Sequence, residues 1–313
     1  MVVSAEQGPV VVVGCDGSWE SLDAVETAVR EALWREQPLV VLTVADKPGQ
    51  QVRQLGDWAR SSAEGERDAQ SVGRRALDRV GDRVPAVTAV TASSAQAPEL
   101  EDLAARASLL VVGRHGSHGL GAFALGSTSE QLVRRLGCPV IVAGASTGPR
   151  TGRDERSAGP HPVVVVGIDD DPSAHVVLAI AVEAAQARGW ALTVVYAAGR
   201  TDTELHLLAA RIWDRHAGLL LSQRAPDHSL ARVVVDVDDA VPALLAHAGP
   251  RDLLVVGTQG QGRLAGLISG SVARGVLDQM PCDVLVVPPA VVTARGLVPV
   301  VAGSTGLAPS VDS

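Results

Sequence analysis

Residues 10–18 read VVVVGCDGS, and the same pattern returns as VVVVGIDDD at residues 163–171. Two further segments repeat in the same order: LLVVGRHG (109–116) returns as LLVVGTQG (253–260), and GCPVIVAG (137–144) returns as PCDVLVVP (281–288). The offset is 153 residues at the first pair and 144 at the other two, so the second copy is shorter in its middle. A repeat of this length indicates a duplicated domain, because solenoid units have periods of about 20–50 residues.

Each copy alternates valine-rich runs with helical stretches. Continuous apolar runs predict strands that are buried on both faces, as in a parallel sheet. The predicted strands lie near 10–16, 38–45, 85–91, 108–113 and 139–143, and near 163–169, 190–197, 231–237, 252–257 and 283–287. In the first copy the crossovers are 18–36, 51–80, 97–107 and 126–137. The pattern predicts an α/β fold of two tandem doubly wound, Rossmann-like domains, each a five-stranded parallel sheet flanked by helices.

The composition sets the domain boundaries and excludes several classes of protein. The segment ASTGPRTGRDERSAGPHP (145–162) is rich in Gly, Pro, Ser and charge, which is typical of a linker. We therefore expect a first domain over 1–145, a linker over 146–161, a second domain over 162–290 and a mobile tail over 291–313. The net charge is −8 with scattered Lys and Arg, which disfavours nucleic-acid binding, and no apolar run is long enough to predict a membrane span.

The stretch GRHGSHGLGAFALGST (113–128) combines five glycines with a Gly-Ser-Thr ending. Glycines let a ligand approach the backbone, and the N-terminus of the helix predicted near Gly126 is a natural anion site. In doubly wound sheets, ligands bind beyond the carboxyl ends of the strands, where this loop and CDGS (15–18) both lie. The alternative is a flexible connector followed by ordinary helix caps, but recurrence of the spacing in both copies favours a site.

Two familiar phosphate-binding motifs are absent. The segment GCDGSW (14–19) does not carry the G-x-G-x-x-G fingerprint expected after a first strand. The segment GAFALGST (121–128) has the glycine spacing of a P-loop, but Ser127 stands where that motif has Lys. The sequence thus supports neither a Rossmann dehydrogenase nor a P-loop NTPase.

The residues do resemble the universal stress proteins, whose nucleotide-binding members carry G-x2-G-x9-G-[ST] and an Asp at the end of the first strand. The matching residues are Gly113, Gly116, Gly126 and Ser127 in the first copy, Gly257, Gly260, Gly270 and Ser271 in the second, and Asp16 and Asp169 after the first strand of each. The resemblance covers nearly the whole chain. It implies two ATP-binding, adenine nucleotide α-hydrolase-like domains of the bacterial stress-response type.

The resemblance also implies roles for individual residues. Asp16 would lie on the adenine and ribose side of ATP, although capping the helix that starts near Ser18 is the alternative. Gly113 and Gly116 would let the backbone wrap the ribose and phosphates. Gly126, Ser127 and Ser129 would bind phosphate oxygens, with or without Mg²⁺. We assign no resident metal site, and we expect His115 and His118 to face solvent.

The second copy departs from the pattern at two places. Ala273 stands where the first copy has Ser129, so one hydroxyl is absent. The segment DDDPS (169–173) replaces DGS, which adds carboxylates near the expected polyphosphate. Asp171 and Pro172 fit the N-cap and first residue of the next helix. We therefore expect a competent first site and a weaker second one.

Three functions remain open on the sequence alone. The chain fits an ATP-binding regulator whose occupancy sets conformation or association, a slow ATPase, or a scaffold without nucleotide. We assign no catalytic residue, because hydrolysis needs a positioned metal and a water-orienting group. The short last strands need cover, and in the resembling family they pair across a two-fold axis. We expect the two copies to pair within the chain and two chains to form a homodimer. Three sparse cysteines in apolar surroundings predict reduced thiols in a cytoplasmic protein.

Overall fold

The structure is a computed structural model. It describes residues 8–45, 55–94, 100–114, 127–144, 161–169, 171, 173–197, 231–236, 238–258 and 270–294. For residues 55–63, 127, 231–233 and 235 only the backbone is described.

The described elements of the two halves follow the same order, except that the second half has no described counterpart of the second helix and ends in an additional helix. The first half contains β1 Val10–Gly14, α1 Trp19–Arg35, β2 Leu39–Val44, α2 Leu55–Val80, β3 Val87–Ala92, α3 Leu100–Arg106, β4 Ala107–Gly113, α4 Ser127–Leu136 and β5 Val140–Ala143. In the second half the described elements are β6 Val163–Ile168, α5 Ala174–Arg188, β7 Ala191–Ala197, β8 Ala231–Asp236, α6 Ala240–His247, β9 Leu253–Gly257, α7 Ser271–Gln279, β10 Asp283–Val287 and α8 Pro289–Ala294.

All ten strands form one sheet with the order β3-β2-β1-β4-β5-β10-β9-β6-β7-β8. Every neighbouring pair is parallel except β5 and β10, which run antiparallel. Each half therefore has the strand order 3-2-1-4-5, and the prediction of two tandem doubly wound domains is confirmed. The predicted pairing of the two copies through their last strands is confirmed as well. Strand order reverses between β1 and β4, and between β6 and β9, which places a crevice at each of these junctions.

The valine runs are explained by helices on both faces of the sheet. Val11 and Val13 belong to the core cluster that includes Ala28 of α1, and both are fully buried. Val10 and Val12 belong to the opposite cluster, which includes Leu132 of α4, and they are buried to the same degree. Burying a valine side chain contributes about 1.5 kcal/mol or more, so an uninterrupted apolar run is the favourable pattern for such a strand.

The prediction that a mobile tail starts at residue 291 is wrong. Residues 289–294 form helix α8, and Val291 is buried in the core cluster that also contains residues of α1 and α5. Val292 packs against the same cluster. Apolar burial thus extends the second half by several residues beyond the predicted boundary at 290. None of the helices in the described ranges is both long and apolar enough to cross a membrane.

Candidate functional site

The first candidate site lies where β1 and β4 end side by side. The two strands are paired in parallel, with Val13 of β1 opposite Val111 of β4. The loops that follow the two strands therefore start at the same edge of the sheet. The predicted meeting of the CDGS segment and the glycine-rich loop at one edge is confirmed for the ends of both strands.

The side chain of Asp16 forms a turn that orients Ser18, the N-cap residue of α1. The backbone N–H of Ser18 donates to Asp16 Oδ1 at 3.0 Å, and the Ser18 hydroxyl donates to the same oxygen at 2.6 Å. Ser18 is the N-cap, and its Oγ accepts from the backbone N–H of Ser21 at 3.2 Å. Ser18 therefore caps the helix and Asp16 orients Ser18, with the Asp16 side chain at the surface. A ligand contact from Asp16 stays a prediction.

Gly17 completes this turn and brings a cation next to it. Its φ is +85°, a conformation that disfavours side chains. A Cβ at Gly17 would lie 2.9 Å from Val72 Cγ2 and 3.2 Å from Arg75 Nη2. The guanidinium of Arg75 on α2 thus lies beside the Asp16 turn. Sequence reasoning missed Arg75, because nothing in its local pattern links it to a loop 58 positions earlier.

Gly113 allows the end of β4 to pack directly on α1. A Cβ there would lie 2.8 Å from the carbonyl carbon and oxygen of Glu20 and 3.0 Å from the backbone nitrogen of Ser21. On the neighbouring strand, a Cβ at Gly14 of β1 would lie 4.0 Å from Leu132 of α4. The end of β4 therefore packs on the start of α1, and Leu132 of α4 lies near the end of β1. This crossed packing brings both helices to one crevice.

Helix α4 begins at Ser127, one residue beyond the predicted start. The first backbone N–H groups of a helix have no partner within it, and the positive end of the helix dipole favours anions. Ser129 is half-buried on the face that carries Leu132, Val133 and Leu136, the core-facing side of α4. Gly116, Gly126, His115 and His118 lie outside the described residues.

Arg114, directly after Gly113, contacts the second half of the chain. Its Nη2 donates to the backbone carbonyl of Asp278 near the end of α7 at 2.7 Å. Its Nε is buried without a hydrogen-bond acceptor among the described parts of the chain. A buried donor left unsatisfied costs about 1–3 kcal/mol, so an acceptor from a ligand or an ordered water would stabilise this position.

The second candidate site repeats the turn but not the helix start. Asp169 Oδ1 accepts from the backbone N–H of Asp171 at 3.1 Å, and Asp171 Oδ1 accepts from that of Ser173 at 2.7 Å. The prediction that Asp171 is the N-cap is wrong, because helix α5 begins at Ala174 and Ser173 is its N-cap. Pro172, the predicted first residue of this helix, lies outside the described residues.

The glycine spacing of the second copy also has a packing basis. A Cβ at Gly270 would lie 3.3 Å from the carbonyl oxygen of Thr258, so this glycine brings the start of α7 onto the end of β9. Ser271, the first residue of α7, is exposed. A Cβ at Gly257 would meet only the side chain of Val177, at 2.9 Å. Gly257, Gly270 and Ser271 thus lie at one edge, whereas Gly260 lies outside the described residues.

Ala273 is fully buried in the core cluster that contains Val276 and Leu277. The position equivalent to Ser129 therefore faces inward in the second half. The missing hydroxyl is compatible with this packing, because a hydroxyl placed there would need a partner within the core.

Two other features lie outside the candidate sites. A cavity of about 510 Å³ opens at the opposite edge of the sheet, where Pro38, Val84, Asp82 and Arg106 contribute to its lining. It lies at the amino ends of β1 to β3, whereas ligands of doubly wound sheets bind at the carboxyl ends. In the described ranges no three His, Cys, Asp or Glu side chains lie together as a metal site.

Comparison with known proteins agrees with this architecture. The model of the universal stress protein family matches residues 9–144 and again residues 162–288. Universal stress protein Rv2005c of Mycobacterium tuberculosis is 32% identical over 292 residues, which cover 88% of this chain and 96% of that protein. Universal stress protein Rv2623 of the same organism is 30% identical over 300 residues, with coverages of 88% and 95%.

Similarity in structure extends to a universal stress protein from Archaeoglobus fulgidus DSM 4304. The TM-score is 0.63 at 16% identity, over 88% of this chain and 97% of that chain, which shows that the fold is shared. The fold and its repeated loop pattern define a tandem pair of doubly wound domains. The chain belongs to the universal stress protein family, and both of its halves match that family.

Proposed function

We propose that this chain is a cytoplasmic ATP-binding regulator of the stress response, with a stronger nucleotide site in the first half than in the second. The observation that carries the proposal is the crossed packing of β1, β4, α1 and α4 at the strand-order reversal. It places the Asp16 turn, Gly113 and the start of α4 around one crevice. Cysteines 15, 138 and 282 are free thiols, as expected of a protein from a reducing compartment.

The residues around this crevice fit a nucleotide. The N–H groups at the start of α4, which have no partner within the helix, suit phosphate oxygens, and the buried Nε of Arg114 lacks an acceptor among the described residues. Arg75 adds positive charge next to the Asp16 turn. In this arrangement the helix start and Ser127 would hold phosphates, and Asp16 would accept hydrogen bonds from ribose or adenine. ATP would supply the signal by its presence, and Mg²⁺ would serve to neutralise its phosphates.

Binding, rather than hydrolysis, is the function that we propose. Glu130, next to Ser129, is the carboxylate closest in sequence to the predicted phosphate-binding residues. Its Oε1 accepts from Arg134 Nη2 at 2.8 Å, one turn along α4. Because this carboxylate lies on the helix surface and is paired with Arg134, we assign it no water-orienting role.

The first test is the nucleotide content of freshly purified protein after heat denaturation. We expect ATP to be released and separated by chromatography, in a ratio closer to one than to two per chain. Release of ADP alone would indicate turnover. A protein that carries no nucleotide and binds none in calorimetry would overturn the proposal.

The second test compares Asp16→Asn with the matched variant Asp169→Asn. The amide oxygen of Asn can still accept from the turn, so the helix cap is retained while the charged acceptor is removed. Loss of one charge-assisted hydrogen bond weakens binding by roughly tenfold. We expect this loss in calorimetry for Asp16→Asn and little change for Asp169→Asn. If Asp16→Asn binds ATP as tightly as the unaltered chain does, the role assigned to Asp16 is wrong.

A further inference from the structure

We infer that the contact between the two halves is selective for unlike partners: the first half accepts a second half, and each half rejects another copy of itself. The selectivity lies in charged side chains around the β5–β10 junction and not in the strand pairing. This inference is independent of nucleotide binding.

The strand pairing itself does not discriminate. Ile141 of β5 lies opposite Leu285 of β10, and these two residues are equivalent positions of the repeat, 144 residues apart. Val140 pairs with Val286 and Val142 with Val284, so the ladder is symmetric about its central pair. The same backbone hydrogen bonds would therefore form between two first halves or between two second halves.

A buried ion pair beside the ladder is asymmetric. Glu31 of α1 accepts from Arg188 Nη2 of α5, and both side chains are at most 2% exposed. Glu31 also accepts from Arg35 at 3.3 Å. Arg35 and Arg188 are equivalent positions of the repeat, but the equivalent of Glu31 is Ala184. One carboxylate, supplied by the first half only, thus serves an arginine from each half.

Aromatic rings from both halves enclose the second of these arginines. The guanidinium of Arg188 lies 5.0 Å from the ring centroid of Trp34 and 5.7 Å from that of Trp190. The two rings are themselves in edge-to-face contact at 5.4 Å. Their equivalents, Ala187 and Gln37, are not aromatic, so this enclosure forms only between unlike halves.

Asp283 supplies a second asymmetric contact. Its Oδ1 accepts from the backbone N–H of Gly144 at 2.9 Å, and its Oδ2 lies 3.6 Å from Arg30 Nη2. Both partners belong to the first half. The equivalents of Asp283 and Arg30 are Pro139 and Glu183, which cannot reproduce either interaction.

Pairing two identical halves through the same junction would leave several of these groups without their partners. Two second halves would bury two copies of Arg188 with Ala184 in place of each carboxylate, and would place Glu183 opposite Asp283. Two first halves would leave each Arg30 and each Gly144 N–H facing Pro139. A buried charge without a partner is strongly destabilising, and this penalty falls on two second halves. Two first halves would keep an arginine beside each Glu31, because Arg35 is the equivalent of Arg188, but they would lose both contacts of Asp283 and the enclosure by Trp190. Only the unlike pairing satisfies all of these groups.

The first experiment measures partner choice by disulfide formation in the full chain. The variant with both Ile141→Cys and Leu285→Cys places two thiols on directly opposed strand positions, within reach of a disulfide. The single variants I141C and L285C report pairing of like halves, which would place each new thiol opposite its own copy. Each variant is refolded at high protein concentration, oxidised and run on a non-reducing gel. The unaltered chain, treated in the same way, gives the baseline amount of covalent dimer.

We expect the double variant to cross-link and both single variants to give no covalent dimers above the baseline. Cross-linking of the double variant between two chains would also support unlike pairing, with the partner half taken from a second copy. Covalent dimers of either single variant in amounts comparable to the cross-linked double variant would overturn the inference.

The second experiment tests the charges by thermal unfolding. We expect Glu31→Ala to lower the melting temperature by roughly 5–10 °C, because it leaves the buried Arg188 and the half-buried Arg35 without this carboxylate. The double variant E31A/A184E exchanges the two equivalent residues and conserves volume and charge, so we expect it to recover at least half of this loss. Glu101→Ala, which breaks a surface ion pair with Arg135 inside the first half, is the control and should change the midpoint by about 1–2 °C at most.

An unchanged midpoint for Glu31→Ala would overturn the role of the charges. So would a double variant no more stable than Glu31→Ala alone, because pseudo-symmetry places the carboxylate introduced by A184E opposite Arg35. Correct folding of the variants can be checked by circular dichroism before melting.

Discussion

At the scale of single residues, Gly113 and Gly257 hold equivalent positions but have different neighbours. A Cβ at Gly113 would meet the backbone of Glu20 at 2.8 Å, whereas one at Gly257 would meet the side chain of Val177 at 2.9 Å. Backbone cannot move aside as a side chain can. The first half is therefore less tolerant of a larger residue at the end of its fourth strand.

We expect Gly113→Ala to lower the free energy of unfolding by about 2–3 kcal/mol and Gly257→Ala by about 1–2 kcal/mol, because a buried valine shifts less easily than a flexible side chain but more easily than backbone. Urea unfolding followed by circular dichroism measures both. The crossed packing at the first site also predicts that Gly113→Ala weakens ATP binding, since it pushes β4 away from α1. Equal destabilisation by the two variants would contradict the difference in packing.

Ala273 allows a second prediction at this scale. Ala273→Ser places a hydroxyl at a fully buried position, so we expect a loss of about 1–3 kcal/mol in the free energy of unfolding and no gain in ATP affinity. Ser271→Ala, at an exposed neighbouring position, serves as the control for stability. Tighter binding by the Ala273→Ser variant would show that this position faces the ligand after all.

At the scale of elements, α1 and α2 are joined by an ion-pair cluster on their outer surface. Glu26 of α1 accepts from Arg83 Nη1 at 2.6 Å and from Arg79 Nε at 3.0 Å. Partial burial acts to raise the pKa of Glu26, but the hydrogen bonds and charges of Arg83 and Arg79 outweigh it and hold the pKa below its ordinary value. The folded state thus favours the ionised carboxylate.

This lowered pKa predicts a pH dependence with a defined sign. The stabilisation by Glu26 is complete above its ordinary pKa of 4.5 and is lost as the pH falls through the lower pKa of the folded state. We expect Glu26→Gln to lower the free energy of unfolding at pH 7 by about 1 kcal/mol or less. The difference from the unaltered chain should shrink toward pH 3, as followed by urea unfolding at several pH values. A difference that grows in acid would contradict this pairing.

At the scale of the whole molecule, the ten-stranded sheet uses β5 and β10 internally and leaves β3 and β8 at its two edges. The strands that pair between chains in the resembling family are thus already occupied. A homodimer of chains closed in this way, which stays a prediction, would use another surface.

Thiol reactivity provides a prediction on the same scale. All three cysteines are buried, and burial raises the pKa of Cys138 to about 12, so its reactive thiolate is scarce at neutral pH. We expect no thiol to react rapidly with a chromogenic disulfide reagent at pH 8, and three to react in denaturant. The labelling rate should rise with urea in step with global unfolding. Rapid reaction of the native chain would show that one half opens independently.

The sequence was sufficient for the fold because the signals are local. Uninterrupted valines, as in Val10–Val13, reflect burial on two faces, and the repeat predicted the same fold for the second half as for the first. Contacts between distant positions left no such signal. Arg75 beside Gly17, Arg114 on the end of α7 and Glu31 with Arg188 depend on how helices pack, which no local pattern encodes.

The pseudo-symmetric junction at Ile141 and Leu285 has an evolutionary consequence. In a dimer of identical chains every substitution occurs twice, so a change at one site is always copied at the other. Here each half is encoded separately while the geometry of a two-fold dimer is kept. The two halves were thus free to differ, with Asp170 and Ala273 in the second half where the first half has Gly17 and Ser129. Fusion of the two copies allows one site to diverge without loss of the other.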